Sequence, residues 1–227
     1  MSDGRAWPDE PDADLVEAVA GLLDAAFARE GRPGVLPIVQ AGDPVLRRVA
    51  TPYTGQLGAQ LPRLVEAMRR TMLDAPGVGL AAPQVGIPLA VAVCADPGVP
   101  GDSREREPLP FRVLVNPRYE PVHDGGTPDR AAHYEGCLSV DGWQAVVARP
   151  RSVRLTGQDE HGAAFDEVLH GWPARIVQHE TDHLAGRLYL DRAEPRSLTS
   201  HENLARFGAP DAAAERAAVE LGFPLPT

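Results

Sequence analysis

The chain contains no lysine, so all 22 of its basic residues are arginine. It has 32 acidic residues, which gives a net charge of −10. A chain this acidic presents no basic field that would collect phosphate groups, which argues against a nucleic-acid partner. No apolar run approaches the roughly 20 residues that a membrane-spanning helix needs. The opening stretch MSDGRAWPDEPDADL is acidic and lacks the apolar segment of a signal peptide. We therefore expect a cytoplasmic protein with no membrane or nucleic-acid partner.

Cysteine is scarce as well. The two cysteines, Cys94 and Cys137, lie in a chain with no secretion signal and predict free thiols instead of a disulfide. Cys94 lies in the apolar run AVAVCAD, where a buried thiol behaves as a small hydrophobic side chain. Cys137 has polar neighbours in YEGCLSV and lies at the expected end of a strand. It is therefore not expected to be a small hydrophobic side chain of the core. The length of 227 residues fits one globular domain with flanking segments.

Apolar periodicity predicts an α+β fold. Four helices are predicted, over residues 12–30, residues 57–73, a stretch from about Pro173 to Gly186, and residues 211–222. Strands are predicted at residues 89–93, 111–115 and 143–148, and SVRLTGQ and AAFDEVL are typical of a hairpin with Gly162 in its turn. Because strands and helices do not alternate regularly, a doubly wound parallel sheet is not expected. We expect antiparallel or mixed sheets packed around the third helix.

The third predicted helix carries the motif HETDH. His179 and His183 are four residues apart, so their rings share one helix face and can bind one metal ion. Glu180 lies beside them, placed to move a proton to or from a water molecule at the metal. The flanking residues are apolar and predict that this helix is buried, where imidazoles and carboxylates without a metal would be costly. The motif therefore predicts a metal site.

Two histidines leave the ligand set one short, because a catalytic metal site normally has three protein ligands and a water. In one extended form of the motif the third ligand is a histidine, but that position is Tyr189 here. Glu202 lies about twenty residues on, as in another class of metallopeptidase. Its polar neighbours in SHENLARF favour a solvated charge. Cys137 is the remaining candidate.

The stretch GVGLAAPQVG, residues 77–86, matches the glycine pattern of dinucleotide-binding proteins. That pattern requires a strand before the glycines and a helix of about ten or more residues after them. Here a helix is predicted before the glycines, and Pro83 and Pro88 interrupt the stretch that follows. A nucleotide site is therefore not expected.

The motifs GVGLAAPQ, EGCLS and HETDH, in this order, resemble the three signature motifs of the peptide deformylase family. The resemblance covers about residues 36–196 and looks most like the longer deformylases of high-GC Gram-positive bacteria. It leaves residues 1–35 as an N-terminal extension with a helix, and residues 197–227 as a C-terminal tail with a short helix. The implied enzyme is a metal-dependent hydrolase that removes the formyl group from the N-terminal formyl-methionine of newly made polypeptides and releases formate.

The resemblance implies roles at the metal. Cys137, His179 and His183 would bind one divalent metal, natively Fe(II), with zinc, nickel or cobalt also accepted. Sulfur and nitrogen ligands suit several of these metals, so the residues do not choose among them. Glu180 would take a proton from the attacking water and later deliver it to the departing amine.

The resemblance also implies roles around the metal. Gln84 and the backbone N–H of Leu138 would donate to the developing oxyanion, and Gly79 would offer its backbone to the substrate. Glu135 and Asp182 would orient ligands or anchor a buried arginine. Four residues match positions around the pocket for the methionine side chain: Val78, Trp172, Ile176 and His133.

The sequence departs from the family in two places. Asp141 stands where members usually carry proline, which bears on the preference for particular peptides. Some relatives dock on the ribosome through a basic C-terminal helix, but here that region is acidic and Arg216 is its only basic residue. Docking on the ribosome through this tail is therefore not expected.

Two other functions compete with the deformylase. The chain could be an HExxH metallopeptidase that uses Glu202 in place of Cys137 and cleaves internal peptide bonds. It could also be a binding protein that keeps a metal for structure. The placement of Cys137 in EGCLS, together with Gln84, argues against the first, and the complete set of catalytic groups argues against the second.

Overall fold

The computed structural model describes residues 11–122, 125–127, 129–207 and 214–226. The helices in these ranges are α1 (Ala13–Phe27), α2 (Leu61–Asp74), α3 (Gly171–Leu184), α4 (His201–Phe207) and α5 (Ala214–Leu221). The strands are β1 (Gly79–Ala81), β2 (Val91–Asp96), β3 (Leu109–Pro121), β4 (Arg130–Cys137), β5 (Val140–Pro150), β6 (Ser152–Gln158), β7 (Ala164–His170) and β8 (Thr199–Ser200). Within the described ranges, every helix is too short or too polar to cross a membrane.

Five strands form a large antiparallel sheet in the order β1-β2-β3-β6-β7. Its side chains alternate between two cores: Val91 and Val93 face α1 and α2, whereas Ala92 and Leu114 face α3. Because both faces are covered, β2 is apolar along most of its length and does not alternate with polar residues. The large sheet therefore lies between the α1–α2 pair and α3.

Strands β4, β5 and β8 form a second, three-stranded antiparallel sheet. β4 and β5 are joined by a two-residue turn, Leu138–Ser139. Helix α5 covers one face of this sheet through Ala214 and Ala218. The turn lies beside α3, where the sulfur of Cys137 is 3.3 Å from Nε2 of His183. The hairpin thus brings the EGCLS motif to the HETDH motif.

Helix α3 is the central helix of the fold. Pro173 lies in its first turn, where a missing backbone N–H removes no helical hydrogen bond. It ends before Gly186, whose φ of 72° is the left-handed conformation that favours glycine after a helix. Ten of its 14 residues are buried, and several of these are charged or polar. Buried polar groups need partners, so the surroundings of α3 must supply them.

The expected α+β fold, with sheets packed around the helix that carries the motif, is confirmed. Both sheets are antiparallel, and parallel pairing among the described residues is limited to an isolated bridge between Thr51 and Leu89. The three long helices lie within a few residues of their predicted bounds. β6 and β7 form the predicted hairpin, with Gly162 at a φ of 80°.

Other elements differ from the prediction. Strand β3 has 13 residues where residues 111–115 were predicted, because its far half continues beyond β2 to pair with β6. β1, β8 and α4 are not predicted at all, and of β4 only its end at Cys137 is predicted. The C-terminal helix is seen from Ala214, and the earlier part of its predicted range lies outside the described residues.

The N-terminal helix α1 belongs to the main core. Asp12 caps it by accepting a hydrogen bond from the backbone N–H of Leu15 at 3.1 Å, as such caps commonly do. Val19 and Leu23 are buried against α2 and the large sheet. This part of the extension therefore packs on the domain that carries the motifs.

Candidate metal centre

Helix α3 presents both motif histidines on one face. The ring centroids of His179 and His183 are 5.0 Å apart and the rings are nearly perpendicular. Burial and the neighbouring His179 hold the pKa of His183 well below its ordinary value. The ring of His183 is therefore neutral, which is the form that binds a metal.

Cys137, at the end of β4, completes a cluster with the two histidines. One ligand atom from each of Cys137, His179 and His183 can be chosen so that all three lie within 4.8 Å of one another. Burial lowers the pKa of His179, but its hydrogen bonds with Cys137 and Glu135 raise it to about 10. A metal bound at Nε2 of His179 would take the place of the proton between that ring and Cys137. One thiolate and two imidazoles are a donor set that suits zinc, iron, nickel or cobalt, so these residues fit the implied metal.

Glu135 fixes the orientation of His179. Its carboxylate accepts a hydrogen bond from Nδ1 of His179 at 3.1 Å, which leaves Nε2 for the metal. It also accepts two bonds from Arg149, at 2.7 and 3.0 Å, and another from Arg175. Burial would raise the pKa of Glu135, but the two arginines outweigh it and hold that pKa well below its usual value. Glu135 is therefore ionised and buried, and it holds the ring of His179 in place.

Asp182, which also lies on α3, is held by the same arginine. Nη1 of Arg149 donates to its carboxylate at 2.7 Å, and the hydroxyl of Tyr119 donates at 3.1 Å. Arg192 adds a third donor at 3.2 Å. Arg149, itself almost fully buried, thus joins β5 to two residues that flank the metal cluster.

Glu180 lies beside His179 and is 3% exposed. Its Oε2 has no hydrogen-bond partner among the described residues. Burial raises the pKa of this carboxyl to about 7. Gly79 packs directly on it, because a Cβ atom at Gly79 would lie 2.1 Å from Oε1 of Glu180. Glu180 is therefore positioned by close packing, with room for a carboxylate only because residue 79 has no side chain.

Gln84 and the Leu138–Ser139 turn lie on the other side of Cys137. The Oε1 atom of Gln84 accepts from the backbone N–H of Ala81 at 2.8 Å, which fixes the amide. Its Nε2 atom lies 3.3 Å from Oγ of Ser139 and 3.5 Å from the sulfur of Cys137. The N–H of Ser139 also donates to that sulfur, at 3.4 Å. The amide donor of Gln84 therefore points at the cluster.

A cleft with a volume of about 810 Å³ opens over the cluster. Residues predicted to form the site line it: Val78, Gly79, Gln84, Cys137, Leu138, Trp172, Ile176, His179 and Glu180. His133 is not among the lining residues. Its ring lies edge-on to Trp172, with centroids 6.2 Å apart, beside a separate small cavity.

The alternative candidates lie elsewhere. Glu202 is exposed in the first turn of α4, and the metal-competent cluster of the described residues contains Cys137 instead. Cys94 is fully buried in β2, as its apolar neighbours predict.

Several residues at the site were not predicted from the sequence. Arg149 is the clearest: a buried arginine was expected beside Glu135 and Asp182 but not identified, and its signal was its position directly after the predicted strand WQAVVA. Arg175 gave a similar signal, because it is a charged residue among apolar residues of a predicted helix. Ser139 and Gln40 gave no signal, because their roles depend on contacts between segments far apart in the chain.

Comparison with known proteins finds relatives of this chain. A family model described as polypeptide deformylase matches residues 35–198. The chain is 66% identical over 199 residues to peptide deformylase 3 of Streptomyces avermitilis, a match that covers 85% of this chain and 86% of the relative. It is 53% identical over 199 residues to the peptide deformylase of Bifidobacterium adolescentis, covering 86% and 89%.

Solved structures of deformylases are similar too. The peptide deformylase of Synechococcus elongatus in complex with actinonin matches with a TM-score of 0.60 at 32% identity, covering 87% of this chain and 90% of that one. A class I type b deformylase of Acinetobacter baumannii with Met-Ala-Ser bound matches with a TM-score of 0.59 at 34% identity, covering 70% and 98%.

Proposed function

The chain belongs to the peptide deformylase family, and from this membership we propose how its residues carry out the reaction. The enzyme is a metal-dependent hydrolase that removes the formyl group from the N-terminal formyl-methionine of newly made polypeptides and releases formate. The observation that carries the proposal is the cluster of Cys137, His179 and His183, of which Cys137 and His179 line one cleft together with Gln84 and Glu180.

Cys137, His179 and His183 hold the metal, and the metal is Fe(II), with zinc, nickel and cobalt as substitutes. The donor set supports a metal of this group, and the family resemblance supports iron. When bound, such a metal lowers the pKa of a water molecule and polarises the carbonyl oxygen under attack. Glu135 keeps His179 in the tautomer that ligation needs.

Glu180 is the general acid and base. It lies next to a ligand in sequence, it is buried, and its Oε2 atom has no described partner that would compete for a proton. In this role it takes the proton from the attacking water and delivers it to the methionine nitrogen as the C–N bond breaks.

Gln84 and the backbone N–H of Leu138 stabilise the oxyanion. The Gln84 amide is fixed through its oxygen and aims its nitrogen at the cluster. Leu138 follows the ligand Cys137 and lines the same cleft. Donors of this kind contribute about 3–4 kcal/mol each where water is excluded.

Val78, Trp172 and Ile176 form the pocket for the methionine side chain, and Gly79 offers its backbone to the substrate. All four line the cleft. A deformylase of Acinetobacter baumannii with Met-Ala-Ser bound shows that a peptide beginning with methionine occupies a related protein. His133 does not line this cleft, and it reaches the pocket only through its edge-on contact with the ring of Trp172.

The partners are formylmethionyl nascent peptides, and we place the enzyme in the cytoplasm with them. The C-terminal helix does not support ribosome docking. In α5 Arg216 is paired with Glu220 at 2.8 Å, and Ala214 and Ala218 are buried against the small sheet. Docking through an exposed basic helix would need charge that this element does not offer.

The proposal is tested on the protein purified without oxygen. Metal content per chain and formate released from a formyl-methionyl tripeptide are measured on the same sample. We expect formate release that requires the bound metal, with iron as the native occupant. Cleavage of internal peptide bonds without formate release would contradict the proposal, and activity that persists after the metal is removed would contradict the metal's role.

A further inference from the structure

The turn between β4 and β5 lacks the residues that usually stabilise such a turn. Two-residue hairpin turns favour conformations with positive φ, and hence glycine or asparagine. Here the two residues are Leu138 and Ser139, and neither is among the described residues with positive φ. The pairing of β4 with β5 also shifts register between Gly136 and Cys137, next to the turn. Contacts from outside the hairpin therefore add to what the hairpin itself supplies, which includes a bond from the N–H of Ser139 to the sulfur of Cys137 at 3.4 Å.

The support comes from residues 39–41, a stretch without regular secondary structure. Nε2 of Gln40 donates to the carbonyl oxygen of Leu138 at 3.0 Å, and Oε1 of Gln40 accepts from the backbone N–H of Asp141 at 3.2 Å. The neighbouring N–H of Ala41 donates to the carbonyl of Ser139 at 2.7 Å. One side chain thus binds the turn on both sides.

The same stretch also reaches the second oxyanion donor. The N–H of Val39 donates to the carbonyl oxygen of Gln84 at 2.9 Å. Residues 39–41 therefore connect the segment that carries Gln84 to the turn that carries Leu138. This connection adds to the direct contact between Nε2 of Gln84 and Oγ of Ser139 at 3.3 Å.

The bond to Leu138 has a consequence at the metal ligand. A peptide group is planar, so fixing the carbonyl oxygen of Leu138 also fixes the N–H of Ser139 on the opposite side. That N–H donates to the sulfur of Cys137 at 3.4 Å. We propose that Gln40 is a positioning residue, which holds the turn so that the N–H of Leu138 and the sulfur of Cys137 keep their working geometry. This inference rests on the proposed function, because it takes Leu138 as an oxyanion donor.

Asp141 makes this arrangement possible. The bond to Oε1 of Gln40 comes from the backbone N–H of residue 141, which proline does not have. A chain with proline at this position would have to hold the turn in another way. The side chain of Gln40 and the backbone N–H of Asp141 therefore act together to hold the turn.

The experiment compares Gln40→Met with Gln56→Met. Methionine keeps the length of the side chain and removes its hydrogen bonds. Gln56 is a matched control because it makes the same two kinds of bond in another loop: its Nε2 donates to the carbonyl of Pro52 at 2.8 Å, and its Oε1 accepts from the N–H of Thr54 at 2.8 Å. Formate release, metal content, melting temperature and amide hydrogen exchange are measured on the full-length, metal-loaded proteins.

For Gln40→Met we expect kcat to fall about ten- to hundredfold, the usual effect of small misplacements in an active site, with KM within about twofold. Amide exchange in residues 137–141 should become faster, while metal content and melting temperature stay close to those of Gln56→Met. Unchanged exchange in residues 137–141 would overturn the inference, and so would an unchanged kcat. A rise in KM alone would show that Gln40 contacts substrate instead. Lack of formate release by the unmodified enzyme would refute the proposed function, whereas the exchange measurement decides separately whether Gln40 holds the turn.

Discussion

Gly79 and Glu180 are packed so closely that the first has no room for a methyl group, since its Cβ would fall 2.1 Å from a carboxylate oxygen of the second. The carboxylate oxygen is not at the far end of a flexible surface chain, because Glu180 is buried on the central helix. Gly79 of the motif GVGLAAPQ thus packs against Glu180 of the motif HETDH, and this contact is possible because residue 79 has no side chain.

Gly79→Ala should therefore displace Glu180. We expect a loss of about 1–3 kcal/mol in the free energy of unfolding from overpacking, and a fall in kcat of about 10²-fold. Metal content should stay near that of the wild type, because the ligands are elsewhere. Gly21→Ala is a control, since a Cβ at Gly21 meets no atom within 4 Å. Full activity of Gly79→Ala would show that Glu180 tolerates displacement or does not act in the reaction.

Glu180→Gln distinguishes a role of Glu180 in catalysis from a role in holding the metal. The amide has nearly the shape of the carboxylate but cannot accept the proton of the attacking water. We expect metal to be retained and kcat to fall by about 10⁴-fold or more, because in the proposed mechanism one residue serves as both base and acid. Formate release and metal content measured together provide the check. Near-normal formate release would remove Glu180 from the mechanism.

Cys137→Ala, His179→Ala and His183→Ala should each lose the metal, because no spare ligand lies in the cluster of described residues. Cys94→Ala is the matched control, since that thiol is fully buried in β2. It should keep the metal. Metal content per chain is the readout. Near-full occupancy in Cys137→Ala would revive Glu202 as a ligand and with it the metallopeptidase alternative.

Gln84→Ala should keep the metal and the fold but lose about 10²–10³ in kcat, the usual effect of removing one oxyanion donor. Gln84→Glu should behave similarly, because it keeps an acceptor for the N–H of Ala81 but loses the donor. Steady-state kinetics on a formylated peptide tests both variants. An unchanged kcat in either would exclude the amide as a donor.

Leu23→Ala tests whether the N-terminal helix is part of the catalytic domain. Leu23 has no exposed surface and packs in the core that α1 shares with α2. We expect a loss of about 2–5 kcal/mol in the free energy of unfolding. Glu17→Ala, on the exposed side of the same helix, should change it by less than about 0.5 kcal/mol. If the two variants are equally stable, packing of α1 does not contribute to the stability of the catalytic domain.

The sequence predicted the elements whose signals are local. Amphipathic spacing located α1 and α2, Pro173 and Gly186 marked the ends of α3, and Gly162 marked the β6–β7 hairpin. The spacing of His179 and His183 predicted their shared face on α3. The third ligand stayed open on spacing alone, because Cys137 lies more than 40 residues away and reaches α3 only through the β4–β5 pairing.

What escaped prediction depends on contacts between distant segments. The three residues of β1 carry no periodicity of their own and become a strand by pairing with β2. The glycine at position 79 was predicted to leave space for substrate, whereas the structure also shows that it leaves space for Glu180. Arg149 ends an apolar run, and its partners Glu135 and Asp182 come from a different strand and from α3.

The burial of Cys94 makes the other thiol chemically distinguishable. Cys94 has no exposed surface, whereas Cys137 is partly exposed in the cleft. Alkylating reagents attack accessible thiolates, so in the folded protein they can reach residue 137 alone. In the proposed site, where Cys137 is a ligand, a bound metal protects that sulfur. The number of labelled cysteines per chain, read by mass spectrometry before and after denaturation, therefore reports the fraction of enzyme molecules that carry metal.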